Sequence, residues 1–353
     1  MTNSPPRIFV KGLNWVGDAL MATPALAHLR HCHPQAHIAL MVRPWVAAVY
    51  EHNPDINELI VMDEAASPWK FMQAVHRVRR GGFQLGIALP NSVRSALLLK
   101  LGGIPTRVGF RFGARGLLLN RLVEPRDELK QVHQVYYYLE LLKSLCAPPP
   151  EIVRMKLIPG ELEQAEMGRL LATLGLDRDQ PLVGIAPGSI NSNAKRWLPE
   201  RFAQMADWLV NECECEVLLL GSAREKDVVD RVAARAHARV HNLAGQVNLA
   251  QMLALTARFK GLICNDAGAM HIGAALGIPT IAVFGPTEWT TTYPFSPTAM
   301  IVRKDGIDCA PCMLRECPID HRCMNGVTVE MVQDAFTKLL KTAARQKSDP
   351  VHI

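Results

Sequence analysis

The feature that most constrains this chain is an alternation repeated along its length: short apolar runs, each followed by a longer stretch with helical spacing. Strands buried on both faces read as continuous apolar runs. A strand–helix–strand repeat closes as a parallel sheet with helices over both faces. The first series has apolar runs at 7–11 (RIFVK), 37–42 (HIALMV), 58–62 and 84–89 (QLGIAL). Helical spacing covers 18–31, 132–145 and 68–80, where Phe71, Val75 and Val78 share a face. The glycines and prolines of 102–116 read as loops. A second series follows, with strands at 182–186, 216–220, 261–264 and 280–284. Its helices fall at 199–212, 225–236, 249–256, 270–276 and about 329–345. Between the two series, Pro148, Pro149 and Pro150, then Ile158-Pro159-Gly160, cannot continue a helix. The 353 residues therefore read as two doubly wound α/β domains, 1–158 and 159–353. The last helix is a candidate to pack back on the first domain.

Composition narrows the class. Hydrophobic residues make up 49% and charged ones 20%, as in a globular enzyme rather than a disordered chain. Lys11 and Asp18 fall inside what would have to be the apolar core of a signal peptide, and no run approaches the ~20 apolar residues of a membrane span. Nine cysteines, an odd and mostly scattered set, fit reduced thiols in a cytoplasmic protein better than a secreted disulfide scaffold. A net charge of +6 is either an ordinary solvated surface or a basic face for anionic partners such as phosphorylated sugars, nucleic acid or a membrane leaflet.

Open α/β sheets bind ligands beyond the carboxyl ends of their strands, so the loops after the strands carry the functional reading. After the first strand comes Gly12-Leu13-Asn14-Trp15-Val16-Gly17-Asp18. Asp18 is either a helix N-cap or a carboxylate placed to take a proton. The glycine spacing of a dinucleotide fingerprint is missing. After the first strand of the second half comes the loop from Ala186 to Trp197, PGSINSNAKRW at its heart. Ser189 and the backbone amides suit a phosphate, and Lys195 and Arg196 supply positive charge for one, although exposed basic residues before a helix are common. It is not a Walker loop. A third loop, Asn265-Asp266-Ala267-Gly268-Ala269-Met270-His271, opens a helix on small residues. Its amides suit an anion and Asp266 suits sugar hydroxyls, while His271 alone reads more readily as a satisfied helix histidine. The fourth loop, Gly285-Pro286-Thr287-Glu288, ends the neighbouring strand.

Taken in order, GLNWVGDALMATPAL, PGSINSNAKRW, NDAGAMHIGAALGIPTIAVFGPT and CAPCMLRECPIDHRCM resemble the lipopolysaccharide heptosyltransferases, glycosyltransferase family 9, and most closely the heptosyltransferase II branch. The resemblance spans nearly the whole chain. It implies the GT-B fold, two Rossmann-like domains facing a central cleft, with the acceptor on the first and the nucleotide sugar on the second. It also implies inverting transfer of heptose from ADP-heptose to a heptosylated Kdo–lipid A acceptor in inner-core synthesis. That reaction needs no cofactor and no obligatory metal, and takes place peripherally on the cytoplasmic face of the inner membrane, with no nucleic acid partner. By the same resemblance Asp18 is the general base and Lys195 the catalytic contact to the donor phosphates. Ser189, Arg196, Asp266, Gly268, Ala269, Met270 and His271 fall in the donor-binding loops. The loop ahead of Lys195 is longer and richer in asparagine than in the related first heptosyltransferase.

Cys309, Cys312, Cys317 and Cys323 are spaced C-x2-C-x4-C-x5-C with His321 among them. Such crowding suits a structural zinc or an iron–sulfur cluster, or else unligated thiols packing an irregular loop. Two further functional readings stay open. One is another enzyme on the same fold, such as a different core glycosyltransferase or a UDP-sugar epimerase. The other is a non-catalytic nucleotide-sugar-binding protein.

Overall fold

The computed structural model describes residues 5–176 and 180–348, leaving aside the side chains of residues 130 and 344–348. The chain divides into two compact units, Met1–Ile158 and Pro159–Ile353.

The first unit carries a six-stranded parallel sheet: β1 (Arg7–Lys11), β2 (His37–Val42), β3 (Glu58–Val61), β4 (Leu85–Ala88), β5 (Thr106–Phe110) and β6 (Arg121–Val123), in the order β3-β2-β1-β4-β5-β6. Its helices are α1 (Val16–Met21), α2 (Thr23–Cys32), α3 (Pro68–Arg80), α4 (Val93–Leu101) and α5 (Gln134–Glu140). Ile38, Ala39, Leu40, Met41 and Val42 of β2 are all buried, the signature of a strand covered on both faces. Phe71, Val75 and Val78 of α3 pack with Phe9, Phe83, Leu98 and Ile104, so the apolar stripe of that helix is spent on one face of the sheet.

Three local readings of the first half are corrected. The helix expected over 18–31 is broken at Ala22, because Pro24 lies in the first turn of α2 and has no N–H to continue a ladder. Thr23 fixes the break: its hydroxyl donates to the Leu20 carbonyl at 2.7 Å and accepts the Lys156 amide at 2.9 Å. The stretch 102–116, expected to be loop, contains β5, whose short TRVGF run is flanked by the turn residues that masked it. Helix α4 was missed, although Ser92 caps it by accepting the Ser95 amide at 3.1 Å.

The second unit repeats the topology. Strands β7 (Leu182–Ala186), β8 (Glu216–Leu219), β9 (Val240–Asn242), β10 (Gly261–Asn265), β11 (Thr280–Val283) and β12 (Ala299–Val302) run in the order β12-β11-β10-β7-β8-β9. Helices α6 (Glu161–Thr173), α7 (Pro199–Asn211), α8 (Lys226–Ala233), α9 (Leu249–Thr256), α10 (Gly268–Ala275), α11 (Arg322–Asn325) and α12 (Val329–Ser348) complete it. Two cores lie on opposite faces of this sheet, one around Trp197, Phe202 and Phe336, the other around Leu171, Phe259 and Met270. Helix α12 joins the first of these through Val332, Phe336 and Leu339. Strands β6, β9 and β12 were not anticipated. They are short edge strands, where a run of three or four residues carries little periodicity.

Both sheets reverse direction at their first strand, between β1 and β4 and between β7 and β10. Chain order departs to opposite sides there, so the two flanking loops splay apart and leave a crevice at the carboxyl ends.

Candidate active site

In the first unit, the loop after β1 brings Asp18 into the first turn of α1, whose N-cap position is Trp15. Asp18 is therefore a first-turn residue and not the N-cap. It lies half-buried, close enough to Tyr50 and Tyr138 to matter electrostatically. Burial first, then the Asp18 charge, hold both phenols protonated well above the usual tyrosine range. Tyr50 donates its hydroxyl to the Ala19 carbonyl at 2.8 Å, which pins α1 beneath the carboxylate.

Under the same loop lies a feature that sequence reasoning passed over. Lys11, only 2% exposed, ends β1 with its ammonium 3.4 Å from Glu64, which is 4% exposed. Burial lowers the lysine pKa, with Glu64 opposing the shift. Its Nζ also donates to the Gly12 carbonyl at 3.2 Å, tying the ion pair to the loop that leads to Asp18. Nearby, Trp45 donates to the Asn14 carbonyl at 2.8 Å while the Arg43 guanidinium stacks on its ring. Glu64 is far from Lys11 in sequence, so only the pairing of β1 with β2 and β2 with β3 brings them together.

In the second unit the expected loops meet at the carboxyl ends of β7, β10 and β11. Lys195 Nζ is 2.8 Å from Asp266 Oδ2, and the Thr287 hydroxyl donates to the same oxygen at 2.6 Å. Lys195 is 28% and Asp266 7% exposed, so the pair is open to solvent on the lysine side. Asn265, fully buried, is the joint between loops: its Oδ1 accepts the Trp197 amide at 2.9 Å and its Nδ2 donates to the Pro187 carbonyl at 2.8 Å. A side chain at Gly188 would run into the Glu225 carboxylate and would have to push it aside. The Glu225 carboxylate in turn accepts the Ser222 amide and hydroxyl, closing a capping box at the end of β8.

The remaining expected site residues sit in the same two loops. Arg196, half-buried, donates to the Ser189 carbonyl at 3.1 and 3.3 Å and so braces its own loop. Ser189 is itself buried. The amides of Gly268 and Ala269 open α10, which no side chain caps. Such a terminus holds unpaired N–H groups suited to an anion. Met270 is fully buried in the core and His271 is buried, so both side chains face the interior of the unit.

The cysteine segment is joined to this site. Ser192 donates to the Arg315 carbonyl at 3.0 Å, the Ala194 amide donates to the same carbonyl at 3.0 Å, and Asn193 donates to Glu316 at 2.8 Å. His321 donates to the Ala194 carbonyl at 2.6 Å. The residues that present Lys195 are thus stitched to 315–321, and the Met313 amide donates to the Pro286 carbonyl at 2.8 Å on the β11 side. A cavity of about 300 Å³ opens there, lined by Thr287, Glu288, Trp289, Arg303, Asp308 and Pro311 among others. Cys309 and Cys312 are exposed, Cys317 half-buried and Cys323 buried beside Gly285. Among the described residues, the one gathering of three metal-type ligand atoms within 4.8 Å of one another is elsewhere, at His28, Cys32 and Cys146.

Residues 71–322 match the model of glycosyltransferase family 9 (heptosyltransferase). The chain belongs to that family. The lipopolysaccharide heptosyltransferase 2 of Salmonella typhimurium is 31% identical over 84% of this chain and 88% of its own length. The protein of that name from Escherichia coli is 30% identical over the same shares, 84% and 88%. The structure of E. coli ADP-heptose LPS heptosyltransferase II matches with a TM-score of 0.82 at 28% identity, covering 96% of this chain and 99% of that one. A glycosyltransferase family 9 structure from Veillonella parvula matches with a TM-score of 0.86 at 24% identity, over 97% and 99%, and shares the fold. The chain is a glycosyltransferase with the two doubly wound halves of the GT-B fold.

Proposed function

We propose that this chain transfers heptose from ADP-L-glycero-D-manno-heptose to a heptosylated Kdo–lipid A acceptor of the lipopolysaccharide inner core, with inversion. The observation that carries this reading is the Lys195–Asp266–Thr287 constellation beside the uncapped start of α10, at the switch point of the second sheet in a family 9 chain. In the step we infer, the acceptor oxygen attacks the anomeric carbon and the bond from that carbon to the diphosphate breaks. The acceptor proton passes to Asp18, and ADP leaves with its new charge met by Lys195 and the amides of Gly268 and Ala269. Those groups supply the positive charge that the leaving diphosphate needs, so the reading assigns the reaction no metal. Thr287 holds Asp266, and Asp266 holds Lys195 until the diphosphate competes for the ammonium.

We further read the protein as cytoplasmic and peripherally bound at the inner membrane face, with the lipid acceptor as the membrane partner and no role for nucleic acid. Among the described residues no helix is long and apolar enough to cross a membrane. On α3, Trp69 is 72% and Met72 52% exposed on a helix that also carries Lys70, Arg77, Arg79 and Arg80, a composition suited to an anionic lipid surface.

The test is a donor competition. The protein is given ADP-heptose together with UDP-sugars, with and without a heptosylated acceptor, and nucleotide release is followed by chromatography. Acceptor-dependent release of ADP is the expected result. Free isomerised sugar without an acceptor would indicate an epimerase, and saturable binding without turnover a non-catalytic protein.

A further inference from the structure

Away from both loop clusters, three soft ligands meet at the C-terminal end of α2. His28 and Cys32 stand four residues apart on one face of that helix, and Cys146 reaches them from the chain that follows α5. One ligand atom from each lies within 4.8 Å of the other two. The His28 Nε2 and Cys32 Sγ are 3.8 Å apart, and the Cys146 thiol hydrogen-bonds with that of Cys32. Tetrahedral zinc holds sulfur at ~2.3 Å and nitrogen at ~2.0–2.1 Å, which sets neighbouring ligand atoms roughly 3.5–3.8 Å apart. The His28–Cys32 pair already has that spacing, and the third ligand needs a contraction of about 1 Å at most to reach it.

His28 supplies the second observation. Its ring is 5% exposed, and the nitrogen that faces the Cys32 thiol, Nε2, makes its hydrogen bond at 2.8 Å to the carbonyl of Ala147, the residue after Cys146. Ala147 is exposed, so its carbonyl can turn to water when Nε2 is claimed by another partner.

We propose that His28, Cys32 and Cys146 bind one Zn²⁺, a structural staple in the first unit separate from Cys309–Cys323. On binding, each thiol gives up its proton to solvent, and the His28 ring proton moves from Nε2 to Nδ1. Three protein bonds then form to the ion, with a water as fourth ligand. Cys32 and Cys146 are only half-buried, which gives the ion its entry path. The staple fastens the end of α2 to the end of the first unit. Because α2 continues from α1, it steadies the element that carries Asp18.

The test uses the full chain, reduced and stripped with a chelator, titrated with Zn²⁺ against a chromophoric competitor and with Cd²⁺ for its thiolate-to-metal absorption. A Cys309→Ser/Cys312→Ser variant is titrated in parallel, so that binding at the other cysteines is subtracted. That variant is expected to keep one tight equivalent, with a Cd²⁺ absorption of two thiolates, and a melting temperature that rises on loading. Cys32→Ser or Cys146→Ser in the same background should lose the equivalent, at least a hundredfold in affinity. His28→Gln should weaken it while leaving the thiolate absorption in place. No tight equivalent in the folded parent, or one that survives Cys32→Ser and Cys146→Ser, overturns the proposal. So does an equivalent lost with Cys309→Ser/Cys312→Ser alone.

Discussion

Replacing Lys195 by alanine separates two jobs that the structure gives one side chain. Its ammonium sits 2.8 Å from Asp266 Oδ2, with the lysine 28% and the aspartate 7% exposed. That lies between a surface pair, worth about 0–1 kcal/mol, and a sealed pair, where removing one partner costs about 3–5 kcal/mol. Asp266 keeps the Thr287 hydroxyl, so Lys195→Ala should cost about 1–2 kcal/mol of stability. The effect on the reaction should be larger. A charge-assisted contact to the diphosphate is worth about 1.5–3 kcal/mol, but Lys195 must release or share Asp266 to make it. ADP affinity should therefore fall only about three- to thirtyfold. The leaving group gains charge in the transition state, so turnover should fall further, by about 10²–10³. Calorimetry with ADP, initial rates at saturating donor, and thermal melts read the three quantities separately. A double-mutant cycle with Asp266→Asn then gives the coupling. Unchanged ADP affinity together with unchanged turnover in Lys195→Ala would remove the residue from the site, whatever its effect on stability.

Other expectations follow from the same geometry. Asp18→Asn should lower transfer about 10²–10⁴-fold with donor affinity intact, and because Trp15 holds the cap position, a melt should shift by about 1 kcal/mol or less. Asn265→Ala strands the Trp197 amide and the Pro187 carbonyl in a buried joint and should cost about 2–4 kcal/mol by urea unfolding; a loss within error would mean that the β7 and β10 loops are held by other contacts. Burial, with Cys213 beside it, pushes the Cys215 thiol up to about 11. The folded chain keeps that proton longer than the unfolded one, so the contribution is intact below the ordinary thiol value of about 8.5 and is lost as pH rises through about 11. Cys215→Ala should flatten that alkaline loss, and native alkylation at pH 8 followed by peptide mass mapping should label Cys309 and Cys312 well before Cys215.

Much of the frame could be read from the chain because parallel strands buried on both faces spell themselves out, as LVGIA and HIALMV do. What escaped was written in contacts. Strand β5 hides among turn residues, and the break before α2 rests on Pro24 and on a Thr23 hydroxyl that also holds Lys156. The site shows the same division. Lys195 and Asp266 stood out because charged residues just past strand ends are conspicuous, but their pairing through Asp266 Oδ2 and its sharing with Thr287 were not visible. Arg196 looked like a second phosphate contact, and only the fold shows it donating to Ser189. The cysteine spacing drew attention to 309–323 as either a metal segment or packing thiols, and the bracing of the Lys195 loop by its backbone and His321 was not visible there. Among the described residues, the set of three metal-type ligands that lies together is split between residues 28–32 and 146, a spacing that no local pattern announces.

The central claim, heptosyl transfer from ADP-heptose, is tested most directly by the product. Purified protein is incubated with ADP-heptose and a series of defined inner-core acceptors bearing no, one or two heptoses, and the glycolipids are read by mass and by the anomeric signals of the new residue. The account predicts one added heptose on the singly heptosylated acceptor, of inverted configuration and matched by one ADP, and none with Asp18→Asn on the same timescale. ADP release with no gain in acceptor mass, or transfer from a different sugar nucleotide in preference to ADP-heptose, would contradict it.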